Sequence, residues 1–216
     1  MLELDGPGEA ADLAAFLGRL VHYDRAAAVR LQAQGGALAV FGRPPSFEVL
    51  AVRTARLARP AELDVTVSAG ELLEGIEESA GAVRVPEAVT GPPWAGVLPP
   101  RGGWQQVDGV PDAAAMRGVV AAAVAEFRAR DEELAPEART RAARDVIGRE
   151  IWSRTLAGTE LPLRAVHAAQ SLGFLRPGVP VGVLVAGGWL RLRTPYGSVS
   201  VRGVGGGLGV LAVAPR

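Results

Sequence analysis

The stretch Pro92-Pro93-Trp94-Ala95-Gly96-Val97-Leu98-Pro99-Pro100-Arg101-Gly102-Gly103-Trp104 constrains this chain more than any other. It is too rich in proline for a helix or a central strand. It nevertheless carries two of the chain's four tryptophans. An indole buries a large area when it packs, so a segment that only had to be flexible would have no use for two of them. The stretch therefore reads as a structured strap lying across the rest of the fold. It divides the chain into an N-terminal portion (1–91), the strap (92–111) and a C-terminal portion (112–216), which can also pack as one domain.

The residues flanking the strap predict an α+β fold: helices with two antiparallel meanders, one on each side of it. On the N-terminal side, Leu13, Phe16, Leu17, Leu20 and Val21 mark an amphipathic helix over residues 12–23 that points His22 at water. Asp24 is placed to cap a second helix from Arg25 to Gln34, ended by Gly35-Gly36. Strands are expected at Ala37–Phe41, Phe47–Leu57 and Leu63–Ser68, with a turn over 58–62, and a short one at Val83–Val85. Ser68-Ala69-Gly70-Glu71 matches a capping box and starts a short helix with a solvated acidic face.

On the C-terminal side, Asp112 caps a helix whose stripe is Met116, Val119, Val120, Ala123, Val124 and Phe127. A second helix spans 136–157 and alternates Arg139, Arg141, Arg144, Arg149 and Arg154 with Glu137, Asp145 and Glu150, the pattern of an ion-paired outer face. Thr159 caps a third, with Leu163, Val166, His167, Gln170 and Phe174 on one side. A meander follows: Val181–Ala186, a Gly187-Gly188 turn, Trp189–Thr194, a turn at Thr194–Gly197, then Ser198–Arg202. Gly203–Gly209 reads as a hairpin loop before a strand at Val210–Val213.

Composition narrows the chemistry. All 23 basic residues are Arg, and Lys, Asn and Cys are absent. Lysine Schiff bases, a phosphate-loop lysine, thiol nucleophiles, thiolate metal sites and disulfides are thereby excluded. With His22 and His167 alone, no three-histidine metal site can form in one chain, and no cofactor is implied. Formal charge is zero, which disfavours nucleic acid as a partner. No apolar run approaches a membrane span, and the start lacks a signal-peptide pattern, so a cytoplasmic protein is expected.

The strap, with Leu38–Pro45 and Leu63–Gly70, resembles segments of uncharacterised hypothetical proteins of high-GC actinobacteria. The resemblance covers roughly the first half of the chain and implies no activity and no functional residues. The expectation for function is a non-enzymatic binding or regulatory protein that meets a protein or a small anionic ligand through an apolar or Arg-bearing surface, and that can form a homo-oligomer. The binding candidates are Trp94, Arg101 and Trp104 of the strap, together with Arg191, Arg193 and Arg202, which alternate onto one face of the second meander with Ser198 and Ser200. Two alternatives stand beside it. Three helices followed by a hairpin have the element order of a DNA-binding winged helix. An enzyme would need His167 as a base beside the strap, with Arg101 as an anion clamp.

Overall fold

The computed structural model describes residues 1–45, 47–91, 94 and 98–203. Its first element, β1 (Leu2–Glu3), leads into helix α1 (Pro7–Tyr23), which buries Ala10, Leu13, Phe16, Leu17 and Leu20. Two long strands follow, β2 (Ala28–Gly42) and β3 (Leu50–Ser68), then helix α2 (Ala69–Glu74) and the short strands β4 (Ile76–Glu77) and β5 (Ala82–Val83). Beyond the strap come β6 (Gln105–Val107) and helices α3 (Ala113–Glu132), α4 (Arg141–Ser153) and α5 (Leu163–Ser171). The meander β7 (Gly182–Ala186), β8 (Trp189–Thr194) and β9 (Gly197–Arg202) closes the described chain. The fold is α+β, with one antiparallel sheet in the order β1-β5-β4 and a second in the order β2-β3-β9-β8-β7-β6.

The second sheet runs through both halves of the chain, because β3 pairs with β9 at Leu50↔Ser200, Ala51↔Val199 and Val52↔Ser198. Residues of a strand alternate between faces. Val29, Leu31, Leu38, Val40, Ala55, Leu57, Leu190, Leu192, Val199 and Val201 all point to the face that carries the helices, and all are buried in one core with α1 and α5. Phe16 of α1 stacks on Phe174 just after α5, with ring centroids 5.6 Å apart.

Several local expectations fail, each for a physical reason. Residues 25–34 form no helix. Val29, Leu31 and Ala33 are buried while Arg30, Gln32 and Gln34 are not, so the period is two, and the Asp24 carboxylate accepts from the Ala26 N–H in a turn rather than capping a helix. The turn placed at 58–62 is strand. Pro60 is tolerated because the β2–β3 register shifts between Gly35 and Ala37, so no ladder bond is asked of residues 57–60. The first meander is thus a two-stranded ribbon rather than three strands. A straight fifteen-residue strand would span about 50 Å. Ala28 and Arg43–Pro45 nevertheless line one groove, so the ribbon curls until its ends approach. The corner falls at Gly35, whose φ of 60° suits glycine.

The helix expected over 136–157 begins only after Thr140, whose hydroxyl accepts from Ala143 N–H at 3.2 Å. Upstream, Arg139 donates to the carbonyls of Asp131, Glu132 and Leu134, closing the end of α3 instead of extending α4. Thr159 caps a turn before Leu161 rather than α5, which starts behind Pro162. The winged-helix order is present, yet β8 and β9 lie inside the sheet between β3 and β7 and do not project as a wing. The Asp112 cap, the Ser68 cap and the Gly187-Gly188 hairpin form as expected. The strand expected at Val210–Val213 lies outside the described residues.

Candidate functional site

Trp94 of the strap lies on the face of the sheet away from the helices. Trp94 is buried against Leu50 and Val52, with Ala39, Phe41 and Leu98 packed around them. These side chains share the strand parity of Ser198 and Ser200, which identifies the face. The Trp94 indole N–H donates to the Thr66 hydroxyl at 3.0 Å. Val52 and Thr66 are far apart along β3, and one indole reaches both because the ribbon curls. At the other end of the strap, the Trp104 indole N–H donates to the Pro100 carbonyl at 3.0 Å, fixing a tight local loop. The Arg191 guanidinium lies 4.0 Å from the Trp104 ring centroid.

Arg191 is the electrostatic centre of this face. It is half-buried, and its Nε donates to the Ser200 hydroxyl at 3.2 Å. Ser200 itself is fully buried, and on β8 Arg191 stands directly opposite it. Burial pushes the Arg191 guanidinium down from its ordinary pKa, and the charge of Arg193 pushes the same way. Arg193 is exposed opposite Ser198, and Arg202, opposite Trp189, holds its guanidinium 4.8 Å from that indole. Several other arginines are ion-paired: Arg130 and Arg154 with Glu126 and Glu150, Arg144 with Asp131, and Arg30 with Asp64. The mixed-sign helix face expected from the sequence is therefore an ion-paired seam between α3 and α4.

Arg101 does not join the Arg191 group. It is exposed beside the curled ribbon, where with Gln32, Gln34, Ala39, Thr54, Glu62 and Asp64 it lines an open groove of about 690 Å³. Arg30, hydrogen-bonded to Asp64, holds that carboxyl below the usual range, and the Arg101 charge adds to the effect.

His167 belongs to another part of the molecule. Its ring stacks on Trp152 at 4.3 Å and meets Phe47 edge-on at 5.1 Å. It sits on α5, which packs on the helix-bearing face, so the sheet separates it from Trp94, Arg101 and Trp104. The site imagined between His167 and the strap is not brought together. Desolvation pushes the His167 pKa down, and no carboxylate offsets it.

Sequence reasoning missed Arg53. It occupies a core-facing position of β3 between Ala51 and Ala55 and is 5% exposed. Its guanidinium reaches Glu9 at 3.1 Å, Asp12 at 3.4 Å and the Pro195 carbonyl at 3.2 Å. Arg176 then donates to Asp12 at 2.7 Å and lies 3.5 Å from the Tyr196 ring centroid. A charged residue among apolar ones of the same strand parity was the available signal. Among the described residues, no group of three or more His, Asp or Glu side chains is arranged to hold a metal ion, and no helix is long and apolar enough to cross a membrane.

The comparisons with other proteins give families without a function. The model described as "Domain of unknown function (DUF8010)" matches residues 1–96, and that described as "Domain of unknown function (DUF8185)" matches residues 99–206. No curated protein matches the chain. Among solved structures, the chain is similar in fold to the DNA polymerase sliding clamp of Pseudomonas aeruginosa. The form with ligand gives a TM-score of 0.53 at 13% identity over 96% of this chain and 66% of that one. A second structure of that clamp gives 0.51 at 13% identity over 96% of this chain and 65% of the other, so the chain spans about two thirds of the clamp chains it matches.

Proposed function

We propose that this chain, which belongs to the family described as Domain of unknown function (DUF8185), is a non-enzymatic binding protein that receives an acidic segment of a partner protein on the outer face of its sheet. One observation carries this reading: Arg191 is half-buried, braced by Trp104 and Ser200, and neighboured by the like charge of Arg193, with no carboxylate paired to it among the described residues. A desolvated guanidinium without a counter-charge is costly to keep, and an incoming carboxylate removes that cost with a charge-assisted, two-pronged hydrogen bond. Arg193 is exposed beside Arg191 on this face, so a polypeptide can reach the pair without entering an enclosed cavity. Trp104, part-buried beside Arg191, supplies a rigid aromatic contact of the kind binding faces favour.

The likeness to sliding clamps agrees with a binding role by analogy of fold alone. Nucleic acid is not the partner proposed, because the chain has no net charge and Arg130, Arg144 and Arg154 are already held by carboxylates. A cytoplasmic location, and an actinobacterial source implied by the resemblance of the strap segments, complete the proposal.

The test uses poly-L-glutamate as the probe, with binding followed by calorimetry and by tryptophan emission. Saturable binding that weakens with added salt is expected, and Arg191→Ala with Arg193→Ala should remove it. Arg191→Lys should not restore it, because an ammonium can neither fork onto a carboxylate nor stack as a plane on Trp104. Equal binding by wild type and the double variant would overturn the reading, as would binding of citrate or phosphate without poly-glutamate.

A further inference from the structure

The second sheet ends in two unequal edges. At one end β6 offers three residues, and at the other β2 offers fifteen. Among the described residues β2 pairs with β3 alone, so its other edge presents a long row of backbone donors and acceptors with no strand beside it. Proteins that keep such an edge monomeric shorten it or place lysines, prolines or inward charges along it. β2 has no lysine and no proline. Its only charge, Arg30, is already held by both Asp64 oxygens at 2.8 Å. Its register shift at Gly35/Ala37 is the one feature that could interrupt pairing.

We infer that β2 pairs with β2 of a second copy of this chain, antiparallel about a two-fold axis through Gly35-Gly36, making one continuous sheet across a homodimer. The position of the register shift decides the axis. Before the shift, Arg30, Gln32 and Gln34 point to the outer face. After it, Ala37, Ala39 and Phe41 do. A two-fold at Gly35-Gly36 sets Arg30 opposite Phe41, Gln32 opposite Ala39 and Gln34 opposite Ala37 on the outer face. On the inner face it sets Leu31 opposite Val40 and Ala33 opposite Leu38. Outer meets outer and apolar meets apolar in both halves, and the two irregular segments coincide at the axis. No like charges meet, and Arg30 gains the face of an aromatic ring.

A head-to-tail contact of β2 with β6 would leave twelve of the fifteen positions unpaired, so a second β2 is the occupant that matches in length. Such a contact is isologous and closes at two copies. Roughly one backbone hydrogen bond per residue pair would form over the matched segments.

Gln34 and Ala37 are exposed and lie nearest the axis, so they can be charged without disturbing the core. Light scattering coupled to size exclusion should give twice the chain mass for the wild type. Gln34→Glu with Ala37→Glu crowds four carboxylates at the axis and should halve that mass. Gln34→Arg with Ala37→Glu sets opposite charges across the same axis and should restore it. Circular dichroism checks that each variant is folded. Hydrogen exchange should show β2 amides protected in the dimer and released in the Glu/Glu variant. A wild type of single-chain mass at tens of micromolar would overturn the inference, and so would a dimer that survives Glu/Glu or a Glu/Glu monomer that Arg/Glu fails to restore. All of these positions are distinct from Arg191 and Arg193, so a failure here leaves the acidic-partner reading standing, and the reverse.

Discussion

Replacing Trp94 by alanine probes the strap most directly. An indole buries about 150–250 Å² when packed. At about 25 cal/mol per Å² this corresponds to roughly 4–6 kcal/mol as an upper bound, since an unfolded chain already hides part of that area. Trp94 is 7% exposed, so most of this area is in play, and losing its hydrogen bond to Thr66 adds about 1 kcal/mol. Partial collapse of Leu98 and Phe41 into the gap recovers some of it. The expected cost is about 3–5 kcal/mol, in line with aromatic-to-alanine changes in cores. For a chain of this size that lowers the melting temperature by roughly 10 °C or more. Urea unfolding followed by far-ultraviolet circular dichroism is the assay, because removing a tryptophan alters the emission signal itself. Trp104→Ala is the internal comparison. Its indole is part-buried, and its contacts are a local hydrogen bond to Pro100 and the Arg191 guanidinium, so it should cost only about 1–2 kcal/mol. A Trp94→Ala cost below about 1 kcal/mol, or no larger than that of Trp104→Ala, would refute a packed strap.

Arg53→Ala should cost about 3–5 kcal/mol in the same assay, because Glu9 and Asp12 lose a buried counter-charge, whereas combining Arg53→Met with Glu9→Gln and Asp12→Asn should recover most of the loss. His167 makes stability depend on pH. Its folded pKa lies below its unfolded value of about 6.5, so its neutral form is favoured by folding. The contribution is intact above that value and is lost as pH falls through it towards the folded pKa, so a melting-temperature profile should drop below about pH 6.5 and flatten in His167→Gln. Gly197→Ala should destabilise strongly, because a Cβ there would lie 2.5 Å from the Phe174 ring, and calorimetry should show it melting well below the wild type.

The C-terminal half was legible because its signals are local. Gly187-Gly188 can only be a tight turn between two apolar-alternating runs, and Asp112 stands ahead of an uninterrupted helical stripe. The N-terminal half misled for an equally definite reason. Residues 25–34 are rich in alanine and glutamine, which favour helix, and the strand identity of Ala28 to Ala33 is imposed by pairing with Leu63–Ser68, thirty to forty residues away. Pro60 looked like a break because a regular ladder has no place for it, and only the irregular register shows why it fits. The candidate site divides in the same way. Strand alternation was enough to gather Arg191, Arg193 and Arg202 on one face, whereas the stacking of Arg191 on Trp104 depends on where the strap lands. Arg101 and His167 were drawn towards that site by chemistry alone, and the topology sends each elsewhere.

The junction between the halves explains why both the strap and Arg53 are needed. Three residue pairs join β3 to β9, and a ladder that short is marginal by itself. Ala51, Val199 and Ser200 in that ladder are nevertheless fully buried. Trp94 closes over Leu50 and Val52 on the outer face. On the inner face Arg53 reaches across to the Pro195 carbonyl while holding Glu9 and Asp12, and Arg176 grips Asp12 from the C-terminal side. Each half thus completes the burial of the other at the seam, and one face of the ladder stays covered if only one clamp opens. Unfolding should therefore be a single cooperative event, with calorimetric and van't Hoff enthalpies in agreement. Trp94→Ala combined with Arg53→Ala opens both clamps, and that variant should be the first to show two separate transitions. Two transitions in the wild type would mean that the seam couples nothing.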